Sequence, residues 1–356
     1  ARGADRTPLD GERADVLVCG ASFAGLAVAR ELAGSGADVL VVDRYEVGER
    51  ATSACAAPTP WLHAMGVAGA IRQELPAMRF TTPHASVRLD LPWSWSSFDY
   101  RELCTLLAAQ TDARFETAKV ERRTGGGVLT DRGELQAPLV VDALGWRRVL
   151  GEDGYQPPDA PLSRGLEVHA PHDGSRDELH CWVERGLVRR GYGWSVPAGQ
   201  EVRVGVGSYD PHQHVKQPTV ALAEREDAER EHFQGNWFPH RLRPAADRRT
   251  FFAGDSAGHC FPLSGEGIRT AFYFGIAAGR EIGAVLDGRR SLDTALARHA
   301  GFSAAHAPAF RRALALQRIV PALPPRLLTA ALRRFEPLTD RAFSWYLDQA
   351  HPRFAT

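Results

Sequence analysis

A glycine turn near the start of the chain has the residue types of a nucleotide-binding loop. The segment VCGASFAG places Gly20 where a strand must turn sharply into a helix, and Gly25 where that helix packs closely on the strands. Ser22 stands between them, where the backbone approaches a pyrophosphate, and Ala24 follows it. Because free N–H groups and the helix dipole favour an anion at this end of a helix, the turn predicts a dinucleotide site.

The segments around this turn predict a βαβ unit. DVLVCG is a short apolar run typical of a buried parallel strand, FAGLAVARELAGSG has apolar residues at helical spacing, and ADVLVVDR is a second strand. Asp43 ends the second strand about twenty residues after the turn. In this position an acidic side chain accepts hydrogen bonds from the ribose hydroxyls. Arg44 and Arg50 follow it, and a guanidinium group binds phosphate in a bidentate way.

A second glycine-rich loop lies far downstream, in FFAGDSAGHCFPLSGEGIRTAF. Gly254 and Asp255 follow a predicted strand, and the carboxylate can accept hydrogen bonds from ribityl or ribose hydroxyls. A helix is predicted from about Gly267, and its positive end suits the negative charge of a reduced flavin around N1 and the C2 carbonyl. The residues of this loop that we expect to contact the cofactor are Pro262, Gly265, Glu266, Gly267 and Ile268.

Together the two motifs resemble the FAD-binding fold of the p-hydroxybenzoate-hydroxylase-like flavoproteins, over most of residues 13–290. The segment LVVDALGWRRVLG is similar to the middle motif of that family, with Asp142 at the turn and Leu144 as a departure from the usual pattern. The resemblance implies FAD as the cofactor and Val120 as one of its contacts. FDYRELCTLL resembles the family segment that carries an FAD-contacting arginine. That arginine corresponds here either to Arg101 or to the position of Tyr100.

A third motif resembles a narrower group, the geranylgeranyl reductase family. GYGWSVPAGQEVRVGVGSY (191–209) is similar to the Y-x-W-x-(F/V)-P segment of that family and to the V-G-x-G strand after it. Tyr192 and Trp194 are two residues apart on a predicted strand, so both rings point to one face. Two such rings can wall an apolar slot for an isoprenoid chain; the alternative is an ordinary core pair.

The same resemblance points to a cysteine. In geranylgeranyl reductases a cysteine follows the second strand on the flavin side of the substrate cavity, and Cys55 occupies that place. The resemblance implies a thiol that donates a proton after hydride transfer, and the alternative is a small buried hydrophobe. His259 and Glu266 are other ionisable groups near the flavin loop and are candidate proton relays.

The remaining segments predict how the site is assembled. GLEVHA, ELHCWVER, RRGYGWSVP and EVRVGVGSY alternate as antiparallel strands do, and the chain is helical with proline breaks from about Ser291. We therefore predict an α/β fold: a Rossmann-like FAD-binding domain, an inserted antiparallel β-sheet substrate domain and a helical C-terminus. The predicted ranges are 13–50, 98–150 and 245–290 for FAD binding, 51–97 and 151–244 for substrate binding and catalysis, and 291–356 for the C-terminal helices.

Charge and cysteine content exclude several classes. The 43 basic and 43 acidic residues leave no net charge, which disfavours a nucleic-acid binder. Five dispersed cysteines without a CxxC pair disfavour a disulfide framework, and no metal is predicted at His169, His172 and His180. Without a long apolar run or a signal sequence, we expect a soluble cytoplasmic protein. The basic and apolar segment FRRALALQRIVPALPPRLLTAALRRF adds a candidate for peripheral membrane contact.

The leading hypothesis is an FAD-dependent reductase that delivers hydride from flavin N5 to C=C bonds of an isoprenoid-like substrate. The first alternative is an FAD-dependent monooxygenase of secondary metabolism, and a further one is an electron-transfer flavoprotein. A flavin halogenase is disfavoured because the only lysines, Lys119 and Lys216, lie outside the first quarter of the chain, where halogenases carry their active-site lysine. Without a second nucleotide fingerprint, NAD(P)H or another reductant would bind transiently, and the oligomeric state is left open.

Overall fold

The computed structural model describes residues 6–51, 54–151, 162–228 and 232–356, so parts of the predicted segments 51–97 and 151–244 lie outside it. In chain order the strands are β1 (Val16–Cys19), β2 (Val39–Asp43), β3 (Ala56–Pro58), β4 (Ile71–Thr82), β5 (Ala85–Phe98), β6 (Arg114–Thr117), β7 (Val120–Arg123), β8 (Gly127–Thr130), β9 (Gly133–Gln136), β10 (Leu139–Asp142), β11 (Leu162–Pro171), β12 (Glu178–Trp182), β13 (Gly191–Pro197), β14 (Glu201–Ser208), β15 (Gln234–Pro239), β16 (Ala246–Asp247) and β17 (Thr250–Phe252).

The α-helices are α1 (Phe23–Glu31), α2 (Thr59–Ala64), α3 (Tyr100–Ala108), α4 (Lys216–Arg225), α5 (Ile268–Leu286), α6 (Leu292–Ala305), α7 (Ala307–Ile319), α8 (Pro325–Phe335) and α9 (Thr339–Asp348). Short 3-10 helices lie at Ala68–Ala70, Gly145–Arg147, Gly254–Ala257, Val320–Ala322, Glu336–Leu338 and Pro352–Ala355.

A six-stranded sheet in the order β16-β17-β10-β1-β2-β6 forms the first layer, and it is parallel except for β16. Its central strand β1 is fully buried and pairs with β2 and β10 on either side, Val16 lying beside Val39 and Leu139. This explains why the apolar runs in the sequence are continuous rather than alternating. The predicted βαβ unit and the predicted strand before Gly254 are confirmed.

Helices α1 and α5 cover one face of this sheet and lie unusually close to each other. A Cβ atom at Gly275 of α5 would lie 2.6 Å from the carbonyl oxygen of Ala24 in α1, and one at Gly279 would lie 2.6 Å from Cβ of Glu31. Glycine at these positions therefore lets the two helices approach. The contact joins the two glycine loops, since each helix begins at one of them.

An eight-stranded sheet in the order β15-β11-β14-β13-β12-β4-β5-β3 forms the second layer. Its strands are antiparallel except where β12 runs parallel to β4. The four segments predicted as antiparallel strands, GLEVHA to EVRVGVGSY, correspond to β11 to β14, and they are confirmed as part of a sheet inserted in the α/β fold. The sequence patterns did not identify β4 and β5, a long hairpin that extends this sheet on its other side.

Helices α6 to α9 form the predicted helical C-terminus, and the chain ends against helices α2 and α5. Trp61 Nε1 donates a hydrogen bond of 2.8 Å to the carbonyl oxygen of Ala350, inside a buried cluster that includes Leu347 and Ala355. Within the described ranges, no helix has the length and hydropathy needed to cross a membrane. The predicted α/β fold class with its inserted sheet and helical C-terminus is confirmed.

Candidate active site

One cavity of about 1400 Å³ runs from the carboxyl ends of the parallel strands to the face of the antiparallel sheet. One end is lined by both glycine loops and by polar side chains, and we call it the nucleotide end. The other is lined mainly by apolar side chains of β4, β5, β12 and β13 and of helices α7 to α9, and we call it the apolar end. The cavity therefore brings together motifs that lie more than 200 residues apart.

At the nucleotide end, Asp43 anchors the loops on both sides of the turn. Its carboxylate accepts hydrogen bonds from the backbone N–H of Ala21 at 2.9 Å and from that of Tyr45 at 3.0 Å. Each oxygen can accept a further hydrogen bond from a ribose hydroxyl, because a carboxylate oxygen accepts more than one hydrogen bond. Burial raises the pKa of Asp43, while the two N–H groups oppose the shift.

Tyr100 is one of the two positions to which the sequence could match the family's arginine. Its hydroxyl donates a hydrogen bond of 3.0 Å to Oγ of Ser22, the residue in the middle of the glycine turn. Arg101 is exposed and outside the cavity, so its predicted contact with the cofactor is corrected. The reason is helical geometry: Tyr100 begins α3 on the face toward Ser22, and the next side chain points about 100° away.

Asp142 is likewise not a cavity residue. It is fully buried, and its carboxylate accepts hydrogen bonds from the Ser256 hydroxyl at 2.6 Å and from the N–H groups of Leu144 and Leu150. We therefore correct its predicted role: Asp142 joins the end of β10 to the second glycine loop and does not line the cavity. Within the cavity, this segment contributes Arg147, whose guanidinium lies over the Trp146 ring.

Asp255 is an ionisable group of the second glycine loop that lines the cavity. Its carboxylate has no hydrogen-bond partner among the described residues, and burial raises its pKa to about 7. An unpaired buried carboxylate is costly unless a ligand satisfies it. Next to it, Gly265 and Gly267 line the cavity just before α5, where the first N–H groups of a helix have no partner within the helix.

These residues fit FAD. Gly20 has φ +113°, which favours glycine, and a Cβ there would lie 2.3 Å from the carbonyl oxygen of Ala143, so glycine lets this turn pack against the end of β10. Asp43 and Asp255 offer acceptors for hydroxyls at two points of the same cavity. The predicted cofactor residues that line it are Ser22, Ala24, Asp43, Arg44, Arg50, Val120, Gly254, Asp255, Gly265, Glu266, Gly267 and Ile268. Those that do not line it are Gly20, Gly25, Arg101, Asp142 and Pro262.

The antiparallel sheet contributes a row of side chains that crosses five strands. Register places these residues side by side: Glu167 on β11, Gly205 on β14, Trp194 on β13, Cys181 on β12 and Phe80 on β4. Neighbours across strands point to the same face. All of them except Gly205 line the cavity, so the row forms its floor, with a carboxylate at one side and apolar groups at the other.

Gly205 has no side chain, and the indole of Trp194 occupies the space that a side chain at this position would fill. A Cβ at this position would be 2.7 Å from Cβ of Glu167 and closer still to the Trp194 ring. Across that space Trp194 Nε1 donates a hydrogen bond of 3.0 Å to Glu167, whose carboxylate also contacts Gln234 at 2.7 Å and His169 at 3.0 Å. The indole is therefore fixed by a buried carboxylate that the sequence patterns did not single out.

Tyr192 and Trp194 lie on one face, as predicted, with ring centroids 5.9 Å apart. The Tyr192 hydroxyl donates a hydrogen bond to the carbonyl oxygen of Ser264, in the second glycine loop. The aromatic wall is thereby attached to the nucleotide end of the cavity. Both rings line the cavity and also pack against the buried cluster of Leu75, Trp95, Leu179, Cys181 and Val196, so they contact the core as well as the cavity.

Cys55 does not reach this cavity, although its neighbours Ala54 and Ala56 do. It has φ +52° and is buried in the cluster behind β3, and burial raises the pKa of its thiol. Its predicted role as proton donor is therefore corrected. The cysteines that line the cavity are Cys181 and Cys260, and the signal for Cys181 was its place opposite Trp194 in the sheet.

The two candidate proton relays near the flavin loop are also engaged elsewhere. His259 is buried outside the cavity, stacked on Phe274 and within 2.9 Å of the Ser303 hydroxyl. Glu266 touches the cavity, but its carboxylate accepts hydrogen bonds from Arg269 Nε at 2.8 Å and from the Tyr346 hydroxyl at 3.1 Å. Both therefore hold the loop in place.

The parallel sheet with its glycine turn, the antiparallel sheet and the shared cavity are the architecture of FAD-dependent oxidoreductases. Similar solved structures include a geranylgeranyl bacteriochlorophyll reductase-like protein from Thermoplasma acidophilum, at 16% identity and a TM-score of 0.81, over 96% of this chain and 98% of that one. A probable FAD-dependent monooxygenase from Pseudomonas aeruginosa has 16% identity and a TM-score of 0.66, over 91% of this chain and 100% of that one. The predicted FAD-binding fold is confirmed.

The sequence itself is similar to geranylgeranyl diphosphate reductase of Rhodobacter capsulatus, at 26% identity over 211 residues. The match covers 54% of this chain and 53% of the relative, so the chain spans about half the length of the curated relative it matches. No family model matches the chain. The predicted resemblance to the geranylgeranyl reductase family is confirmed by this relative and by the fold.

Proposed function

We propose that this protein binds FAD and reduces C=C bonds of an isoprenoid-like, apolar substrate. The observation that carries the proposal is the single cavity in which the nucleotide end meets a floor of apolar and aromatic side chains. Bound FAD, once reduced, supplies a hydride. Because the sequence has one dinucleotide fingerprint, which FAD would occupy, a reductant such as NAD(P)H would have to bind transiently to reduce the flavin again.

The chain's own residues position the substrate and exclude water. Trp194, held by Glu167, and Tyr192, held by the Ser264 carbonyl, wall the cavity where its two ends meet. Phe80 and Met78 continue the apolar surface away from them. Such a site lowers the activation barrier mainly by holding the alkene in one orientation beside the cofactor.

The alternative proposal is an FAD-dependent monooxygenase, supported by the likeness in fold to the Pseudomonas aeruginosa protein. An apolar cavity suits an aromatic substrate as well. The electron-transfer hypothesis predicts no open cavity beside the cofactor, and the 1400 Å³ cavity argues against it. A halogenase is also disfavoured, because Lys119 lines the nucleotide end near Val120 and Lys216 does not line the cavity.

Anaerobic reduction of the bound FAD, followed by mixing, separates these functions. For a reductase, a polyprenyl alkene reoxidises the flavin and the product is saturated at one double bond. For a monooxygenase, oxygen and an aromatic substrate give a transient hydroperoxide absorbance and a hydroxylated product. Reoxidation by neither substrate class faster than by buffer would refute both enzyme proposals.

The FAD site has a test that needs no substrate. Replacing Asp255 by alanine removes the carboxylate that opens into the cavity, and we expect the purified variant to retain less FAD than the wild type. Asp142→Ala is not a suitable control because that carboxylate is structural, whereas Arg101→Ala is, since Arg101 lies outside the cavity. Full FAD stoichiometry in Asp255→Ala would contradict the assignment.

A further inference from the structure

The C-terminal helices carry an unusual concentration of exposed apolar side chains. Six large apolar side chains are exposed in the described part of the chain, and all but Phe233 lie between residues 316 and 345. We call these five the C-terminal patch: Leu316, Ile319, Leu327, Leu338 and Trp345. Exposed apolar groups clustered in this way mark an interaction surface.

Two residues of the C-terminal patch lie at an opening of the cavity. Leu316 is 46% exposed and Trp345 is 40% exposed, and both also line the cavity. Helix α8 separates the two environments: Leu328, Leu332 and Phe335 line the cavity, whereas Leu327 on its outer side is 59% exposed. An apolar molecule that enters by this opening passes directly from the patch to the apolar end.

Exposed arginines flank the C-terminal patch. Within the described residues, they form no ion pair, although arginines elsewhere in the chain commonly do. Helix α8 therefore presents leucine and uncompensated positive charge on one outer side. These arginines are Arg311, Arg312 and Arg318 on α7 and Arg326, Arg333 and Arg334 on α8.

We propose that the C-terminal patch docks on an anionic phospholipid surface and that the substrate enters the cavity from that surface. Arginine beside exposed leucine and tryptophan is the composition that binds the boundary between head groups and acyl chains. A membrane is favoured over a second copy of this chain because the same six arginines would face each other across a symmetric interface and repel. The route of entry rests on the proposed apolar substrate, whereas the docking does not.

Sedimentation with vesicles tests the docking without any substrate. We expect the FAD-loaded protein to bind vesicles of phosphatidylcholine with 30% phosphatidylglycerol, on the order of 10-fold more tightly than phosphatidylcholine alone. Arg333→Glu/Arg334→Glu should lose about 10-fold or more of the binding. The control Arg122→Glu/Arg249→Glu makes the same change in net charge outside the C-terminal patch, and it should bind like the wild type.

Other outcomes would overturn the proposal. They are wild-type protein that stays in the supernatant with anionic vesicles, or equal losses in both double variants. A patch that instead joins two copies would give a dimer in sedimentation velocity, broken by Leu327→Ser, without vesicle binding. Because flavin content and alkene reduction in detergent are measured separately, docking can fail while the proposed reductase function stands.

Discussion

At the scale of single residues, the contact between Trp194 and Glu167 sets the shape of the apolar end. A carboxylate this buried is tolerated because three groups contact it: the indole N–H, the Gln234 amide and His169. The contact exists only because Gly205 leaves room between two strands. The shape of the cavity floor therefore depends on a residue that has no side chain.

Gly205→Ala should push the Trp194 ring out of its place. The backbone of Gly205 is compatible with alanine. The expected loss of about 1–3 kcal/mol in unfolding free energy therefore comes from overpacking against the Trp194 ring. Binding of a fluorescent polyprenyl probe should weaken as well. Gly207→Ala is the matched control, because its Cβ would meet Trp194 only at 3.2 Å. Equal effects of the two substitutions would show that the indole is not held as described.

Asp255 should make the stability of the FAD-free protein depend on pH. Burial raises the pKa of its carboxyl group from 3.8 to about 7, so the folded state keeps a proton that the unfolded chain releases. The raised pKa thus stabilises the fold near pH 4, and this contribution is lost as the pH rises to about 7. Relative to the wild type, Asp255→Asn should gain stability over this range, by at most about 4 kcal/mol.

Urea unfolding at several pH values measures this difference. Asp112→Asn, at an exposed position, controls for the loss of a carboxylate. A difference between Asp255→Asn and the wild type that does not change with pH would contradict the assignment.

At the scale of elements, Arg269 joins the second glycine loop to α9. Its side chain is fully buried and pairs with Glu266, and Nη1 donates to the carbonyl oxygen of Tyr346 at 2.9 Å. The Tyr346 hydroxyl in turn contacts Ser264 and Glu266. The loop beside the proposed cofactor is therefore held by a helix that lies 70 residues further along the chain.

Arg269→Met should destabilise the protein by about 3–5 kcal/mol, because Glu266 is left as an uncompensated buried charge. Arg280→Met on the same helix is the control: Arg280 pairs with Glu31 at the surface, and its loss should cost less than about 1 kcal/mol. Chemical unfolding of both variants checks the prediction. Similar stabilities would mean that the buried pair does not hold the loop.

The sequence predicted elements better than it predicted their contacts. The strand around Val16, the helix after it and the face shared by Tyr192 and Trp194 follow from local periodicity, and the structure bears them out. Cys55 was misplaced because its orientation is set by a positive φ that spacing does not reveal. Glu167 was missed because its partner lies 27 residues away across another strand.

At the scale of the whole molecule, the C-terminal helices pack on both layers: α6 contacts β16 and β17 of the first, and α9 contacts β5 of the second. Trp61 of α2 donates to the carbonyl oxygen of Ala350, and Trp93 of the antiparallel sheet donates to the carbonyl oxygen of Phe343 at 3.3 Å. Deleting residues 339–356 should therefore lower the melting temperature and expose Trp61, and not merely open the cavity. Tryptophan fluorescence and thermal unfolding measure both effects. An unchanged melting temperature would show that the segment is only a cover.

The three glycines beneath Trp194 have a consequence for substrate selectivity. Gly165, Gly205 and Gly207 lie beneath the indole, so each is a point where one methyl group alters the depth of the slot without altering the backbone path. Homologous proteins with larger residues there would accept shorter or slimmer substrates. Substitutions of increasing size at these three positions should therefore select for substrates with progressively shorter apolar chains.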